Sequence, residues 1–309
     1  MKPRIVVIGS SNTDMIIKSP HLPGPGETVL GGSFTIVQGG KGANQAIASA
    51  RAGGDVLFIT CVGDDSFGQN SIAELTREGI DTSFVKIIKD VPSGIAMINV
   101  AETGENSISV APGANSQLLP ADIINAEHSI KGADIVLMQL EIPIDTIAAA
   151  VKIAHKYRVP VILNPAPACI LSDEILSHVD IITPNEREAA LLAGVKPADN
   201  NFSDLARSLR KSGPGTVIIT LGENGAFYLH DELEKHVEGY KVNVVDTTAA
   251  GDTFNGFLAV SLAQGDELEF AVRMANKAAS LSVTRLGAQP SIPYIGEVMG
   301  RRKVNMQVR

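Results

Sequence analysis

Short continuous apolar runs alternate along the chain with segments of helical period, and polar turns separate them. Ile5 to Ile8 empties into Gly9-Ser-Ser-Asn-Thr-Asp14, the pattern of a strand buried on both faces that ends in a polar turn. Residues 15 to 38 break this rhythm. Pro20, Pro23, Pro25 and Gly26 punctuate turns, and β-prone pieces follow at Thr28-Val-Leu and Ser33 to Val37. A small-residue helix from Ala46 stops at Gly53-Gly54, before a strand Val56 to Val62 and a helix near Gly68 to Glu78. Thr82 to Val110 is again irregular and β-rich, so the two outlying β regions are expected to join into one small sheet.

From about residue 120 the alternation is regular. Helix to Lys131, strand Asp134 to Leu140, helix Asp145 to Arg158, strand Pro160 to Leu163, a helix near Asp173 and strand Val179 to Thr183 succeed one another. Helices Glu186 to Ala193 and Phe202 to Lys211, strand Thr216 to Leu221, a hairpin across 226 to 245, and helices Thr253 to Ala263 and Leu268 to Thr284 complete the series. Strands alternating with helices predict a mainly parallel sheet covered on both faces, a three-layer α/β/α sandwich. The expected division is a main domain of residues 1–14, 39–92 and 111–309, with a small β lid of residues 15–38 and 93–110. The basic tail after Gly300, with Arg301, Arg302, Lys303 and Arg309, is expected to be a solvated end.

Composition narrows the function. The 309 residues carry 34 acidic and 26 basic side chains, a net charge of −8, the wrong sign for broad attraction to nucleic acid or an anionic membrane. A small-molecule substrate is expected. Cys61 and Cys169 have no metal-like spacing, and His155, His178, His230 and His236 have none either. No apolar run suits a signal peptide or reaches the roughly 18 residues of a membrane span, so a cytoplasmic location is expected.

Polar residues recur just beyond the strands: Asn12 and Asp14, Gln139 and Glu141, Asn164, Asn185, Thr220 and Gly222, and Asp246 onward. In open α/β sheets ligands bind at the carboxyl ends of strands, so these positions point to one shared cleft. Two nucleotide signatures are excluded. A P-loop ending at Lys41 would need glycine where Thr35 stands and Ser or Thr where Gly42 stands, and G-x-G-x-x-G does not follow the first strand. Asp246-Thr-Thr-Ala-Ala-Gly-Asp252 offers another phosphate device. Ala249, Ala250 and Gly251 have no bulk to keep a phosphate from the backbone N–H groups at a helix start. Asp252 would then face an acceptor hydroxyl as a base; the plainer alternative is a carboxylate that merely caps the helix.

That stretch, together with Gly39-Gly-Lys-Gly-Ala-Asn-Gln45, resembles the two signatures of the PfkB carbohydrate kinase family. The likeness extends through Gly9 to Asp14, Pro25-Gly-Glu-Thr28, Asn164-Pro-Ala-Pro-Ala168, Ile182-Thr-Pro-Asn-Glu186 and Gly287-Ala-Gln-Pro-Ser291, and is closest to members that phosphorylate ribose. The resemblance implies transfer of the ATP γ-phosphoryl group to O5 of D-ribose, with Asp252 as catalytic base. It assigns Asn12, Asp14, Gly40, Lys41, Asn44 and Glu141 to the sugar, and Asn185, Thr220, Gly222, Gly225 and Asn276 to the nucleotide side. It further implies Mg²⁺ organised through Glu188, and K⁺ beside Asp246, Thr248, Ser282, Arg285, Gly287 and Ser291. A homodimer through the lid is expected, its exposed apolar side carrying Val29, Phe34, Ile36 and Ile98. A kinase for another sugar or a nucleoside, and a non-catalytic sugar sensor, are the alternatives. With aromatics at 4%, and Phe34 alone in the lid, a nucleoside base finds little to stack on.

Overall fold

The computed structural model describes residues 2–195 and 201–300, and the basic tail falls outside the described residues. Strand β1 (Arg4–Ile8) is followed by β2 (Asn12–Ser19), β3 (Ser33–Gly39), helix α1 (Lys41–Arg51), β4 (Asp55–Gly63), α2 (Ser66–Arg77) and β5 (Val85–Ile88). Next come β6 (Gly94–Ala101), β7 (Asn106–Ala111), α3 (Pro120–Asn125), α4 (Glu127–Lys131), β8 (Ile135–Met138), α5 (Ile144–Lys156) and β9 (Val161–Leu163). The chain continues as α6 (Asp173–Leu176), β10 (Ile181–Ile182), α7 (Glu186–Leu192), α8 (Phe202–Lys211), β11 (Thr216–Thr220), β12 (Ala226–His230) and β13 (Leu233–Val237). It closes with α9 (Ala250–Ala263), α10 (Leu268–Ser282) and α11 (Ile295–Val298).

Among the described residues nine strands form the central sheet in the order β13-β12-β11-β10-β9-β8-β1-β4-β5, with every pairing parallel except those of β12, which runs against the rest. The buried runs explain its two coats of helices. Within β1, Val6 and Ile8 enter a core shared with Ile123, Ile147 and Leu205 of α3, α5 and α8, while Ile5 and Val7 enter a second with Ile47, Phe257 and Val272 of α1, α9 and α10. Successive side chains of a strand point to opposite faces, so an unbroken apolar strand needs cover on both sides. This is the predicted three-layer sandwich.

Except for β5, the first strand of the Thr82 to Val110 region, which pairs β4 at the edge of the central sheet, the outlying β segments join into one sheet, of order β3-β2-β6-β7. Two expectations about it fail. Asn12 to Asp14 is the first part of β2, paired with both β3 and β6, and not a turn. Thr28-Val-Leu forms no strand; it lies in a stretch with no paired neighbour, and Leu30 stands in solvent. The expected apolar side also divides. Phe34 pairs Ile17, whose neighbour across the sheet is Asn99, whereas Ile98 pairs Ile16 on the opposite face. Val29 lies outside the strands. Phe34, Ile36 and Met97 are exposed on one face, Ile108 and Val110 on the other.

Helix starts differ from the periodicity in a consistent way. α1 begins at Lys41, five residues before the apolar period, and α9 at Ala250, three before it. In each case the residue before the helix, Gly40 (φ 87°) or Ala249 (φ 60°), takes a left-handed conformation that turns the chain abruptly. Tyr240 to Val245 alternates but is no strand, so the hairpin ends at Val237. The segment pairs with no strand: the Val245 N–H donates to the Val283 carbonyl at 2.8 Å, and Val244 and Val245 are exposed.

Candidate active site

The cleft is built where α1 and α9 start against the ends of β1, β2 and β8. Gly40 turns sharply enough that α1 passes directly over the β1–β2 junction: a Cβ there would sit 2.6 Å from the Asn12 nitrogen. At Gly39 a Cβ would lie 2.2 Å from the Asp14 carboxylate. Side-chain-free backbone is therefore required for Asn12 and Asp14 to occupy these positions.

Glu141, just past β8, accepts from the Lys41 backbone N–H at 3.0 Å and from Ser10 Oγ at 2.5 Å. The Ser10 carbonyl also accepts from Ala43 N–H at 2.9 Å. Asn12 Oδ1 accepts from Asn115 Nδ2 at 2.7 Å, and Asn115 Oδ1 from Ser11 N–H at 2.9 Å. Ser10 and Asn115 thus hold the proposed sugar contacts in place. Ser10 lies within the Gly9 to Asp14 stretch of the family likeness but is assigned no role there, and Asn115 lies in no motif.

Asp252 is 6% exposed and is neither the first residue of its helix nor a cap. It lies in the first turn of α9, and its carboxylate is bound across the cleft, not to its own backbone: Oδ2 accepts from Asn44 Nδ2 at 2.9 Å and Oδ1 from Gln45 Nε2 at 3.0 Å. The capping alternative is therefore set aside. Burial pushes its carboxyl up, while Lys41 and the two amides pull it down. Ala250 N–H turns back to the Thr247 carbonyl at 3.3 Å, and a Cβ on Gly251 would meet nothing within 4 Å. The open side of Gly251 faces a cavity of about 380 Å³.

Charge in the cleft is lopsided. Lys41 faces Asp252, Glu141, Glu188 and Asp14; burial opposes its charge, but these four carboxylates outweigh it and hold the ammonium pKa above its ordinary value. Asp14 is pushed up to about 7 by burial, then by Glu141 and Asp252, with Lys41 opposing. Such displaced titrations gather at functional sites.

The cavity is lined by Thr220, Gly222, Gly225 and Asn276, four of the five nucleotide-side expectations, with Val242 and Phe254 on its apolar walls. Asn276 donates to the Val237 carbonyl at 3.2 Å. Asn185 lies beside Thr220, paired to it by a bridge, but its side chain is occupied elsewhere. Asn185 Oδ1 accepts from Glu188 N–H and Glu188 Oε2 from Asn185 N–H, a reciprocal cap at the start of α7. Glu188 is half-buried, and its carboxyl is raised by burial and by Asp252 against the Asn185 N–H and Lys41.

Of the cation set, Asp246, Thr248 and Gly287 come together. Asp246 Oδ1 accepts from both Thr248 N–H and Oγ1, and Oδ2 from Gly287 N–H at 2.8 Å. Ser282 and Ser291 are buried and donate to the Ala279 and Ala288 carbonyls. The Arg285 side chain pairs with Glu297, which leaves its backbone as the part available to an ion. Cys61 is buried and Cys169 half-buried, both free thiols, and no helix among the described residues is long and apolar enough to cross a membrane.

Residues 2–295 match the model of the pfkB family carbohydrate kinases. The chain is 46% identical to a ribokinase of Haemophilus influenzae over 300 residues, 97% of this chain and 98% of the relative. It is 40% identical to a deoxyribokinase of Salmonella typhi over 296 residues, covering 94% and 96%. The solved structure of Arabidopsis thaliana ribokinase complexed with ribose and ATP superposes with a TM-score of 0.89 at 33% identity, covering 99% of this chain and all of that one. On these matches the chain belongs to the pfkB family of carbohydrate kinases and is a kinase that phosphorylates a sugar, in keeping with a cleft that joins an acid-rich group to a cavity at a helix start.

Proposed function

We propose that this kinase transfers the γ-phosphoryl group of ATP to O5 of D-ribose, forming D-ribose 5-phosphate and ADP. One observation carries the reading: a buried carboxylate, Asp252, stands between the cavity behind Gly251 and the group Asp14, Lys41 and Asn44. Asp252 orients the acceptor hydroxyl and takes its proton as the new bond forms, the role a positioned carboxylate fills in phosphoryl transfer. Amide groups of Ala249 to Gly251 receive the charge that develops on the transferred group. Asn12, Asp14, Gly40, Lys41, Asn44 and Glu141 hold the sugar, whose hydroxyls both donate and accept. Thr220, Gly222, Gly225 and Asn276 border the nucleotide, with Asn185 beside them.

A sugar kinase needs cations, and the donor chemistry fits two. Glu188 is a hard oxygen donor whose carboxyl is raised first by burial and then by Asp252, a setting that suits Mg²⁺ held through water. Bound there, the ion supplies charge neutralisation along the phosphates. Asp246, Thr248 and Gly287, with carbonyls near Ser282, Arg285 and Ser291, offer an all-oxygen set suited to K⁺. The β2-β3-β6-β7 sheet serves as the lid, closing to keep water from the phosphoryl group, and its exposed apolar residues suit a homodimer contact. The reading places the enzyme in the cytoplasm.

ADP release across pentoses, hexoses and nucleosides tests it, with K⁺ exchanged for Na⁺. Faster turnover of fructose or adenosine than of ribose would overturn the substrate. 2-Deoxyribose belongs in the panel because of the deoxyribokinase relatives. Asp252→Asn is expected to abolish most turnover and leave sugar binding largely intact.

A further inference from the structure

Gln45 has no solvent exposure, and its amide has an acceptor or donor at every position. Its Nε2 donates to Asp252 Oδ1 at 3.0 Å and to Asn164 Oδ1 at 3.1 Å, while its Oε1 accepts from Gln139 Nε2 at 2.6 Å. Asn164 Nδ2 donates to the Thr183 carbonyl at 3.0 Å, Thr183 Oγ1 to Asn255 Oδ1 at 2.6 Å, and Asn255 Nδ2 to the Gly251 carbonyl at 2.8 Å. The path leaves the Asp252 carboxylate, passes through α1 and the ends of β9 and β10, and returns to the residue before Asp252. It is a closed ring.

The ring has a direction that chemistry enforces. A backbone carbonyl can only accept, so Thr183 obliges Asn164 to present its NH₂ there and its oxygen to Gln45. Gln45 must then turn its own NH₂ toward Asn164, and the same nitrogen's second hydrogen meets Asp252. Gln139 confirms that orientation by donating to Gln45 Oε1. On the return side, the Gly251 carbonyl can only accept, so Asn255 presents NH₂ to it and turns its oxygen to Thr183, whose hydroxyl must then donate. Each side chain in the ring is nine-tenths or more buried, where an unmet polar group is costly and a met one is held firmly.

We infer that Gln45 is a positioning residue for phosphoryl transfer: it fixes the Asp252 carboxylate relative to the Gly251 turn through the Asn164–Thr183–Asn255 ring. The role rests on the reading of Asp252 as the base. It differs from that of Asn44, whose Oδ1 stays without a partner and available to the sugar. Gln45 keeps nothing free for a ligand, so its loss acts on the reaction and not on substrate capture.

Gln45→Met keeps the length and bulk of the side chain and removes both donors. Steady-state kinetics with ribose and ATP are expected to show kcat lowered about tenfold to a hundredfold, the scale of a lost hydrogen bond to a buried charge, with the KM for ribose changed less than about threefold. Thr183→Val, which deletes the hydroxyl donor to Asn255 on the far side of the ring, is expected to lower kcat in the same selective way and covers the case in which Gln45→Met does not fold. A KM that rises as much as kcat falls, or a kcat within about twofold of wild type in a folded variant of either residue, overturns the inference. Asp252→Asn, assayed alongside, separates the two readings: full turnover there removes the base itself, whereas its collapse beside an unaffected Gln45→Met removes the ring alone.

Discussion

Asn44 donates its amide to Asp252 Oδ2 over 2.9 Å while its own buried Oδ1 has no hydrogen-bond partner. One end of the side chain is committed to the Asp252 carboxylate, and the other is an acceptor without a donor. A sugar hydroxyl would satisfy it. Asn44→Ala is therefore expected to raise the KM for ribose and lower kcat together, reducing kcat/KM by about a hundredfold or more. Separate kcat and KM values check this; a change confined to kcat would assign Asn44 to the base alone.

Gly251 separates activity from stability. Its φ is ordinary for a helix, and a methyl group there would meet no protein atom, so Gly251→Ala should leave stability unchanged or raise it by up to about 1 kcal/mol through helix propensity. The same methyl enters the space proposed for the transferring phosphate. Turnover is expected to fall at least about tenfold while ribose affinity by calorimetry is kept. Wild-type turnover would show that no phosphate approaches this backbone.

Asp14 makes stability depend on pH. Its carboxyl titrates at about 7 in the fold against an ordinary 3.8, because burial comes first and Glu141 and Asp252 add to it. The folded state binds this proton more tightly than the unfolded chain. Its contribution is thus complete below about pH 4 and is lost as pH rises through about 7. The stability of wild type minus that of Asp14→Asn is expected to fall by about 2 kcal/mol between pH 5.5 and 8.5. Urea titrations at both pH values measure it, and a constant difference would refute the displaced titration.

Far from the cleft, Arg51 at the end of α1 pairs with Glu78 at 2.5 Å and donates to the carbonyls of Gln289 and Ile292, each at 2.7 Å. Both side chains are about nine-tenths covered. Arg51→Met strands a buried carboxylate and two carbonyls and should destabilise the fold by about 3 kcal/mol. The kcat of the remaining folded protein is expected to stay near wild type. Chemical denaturation together with kinetics at low temperature distinguishes the two effects.

The layers of the sandwich were legible because their cause is local: Ile5 to Ile8 or Val56 to Val62 can satisfy an unbroken apolar run only inside a covered sheet. Helix starts were less so. Nothing in apolar spacing reports that Gly40 and Ala249 adopt positive φ, and both helices begin earlier than their periodicity. Tyr240 to Val245 alternates like a strand, yet it pairs with no strand and its end is tied to the Val283 carbonyl after α10, a contact that composition does not announce. At the site, Asp252, Lys41 and Asp14 stood out by residue type and motif. Their supports did not show their role: Gln45 sits in the same motif as Lys41 but reaches Asp252 across 207 positions, and Asn115, in no motif, reaches Asn12 across 103, relationships that exist only once the chain has folded.

β2 runs without interruption from Asn12, at the cleft, to Ser19, deep in the small sheet, and is zipped to β6 along that whole length. Whatever grips Asn12 and Asp14 holds the short end of a stiff arm. A tilt of roughly 10° about Asn12 would sweep Ser19 through about 4 Å, given about 3.3 Å per residue along a strand. The sugar would thus act on the small sheet as a hand acts on a lever, and Lys18, Val100 and Ser33 would feel its arrival without touching it.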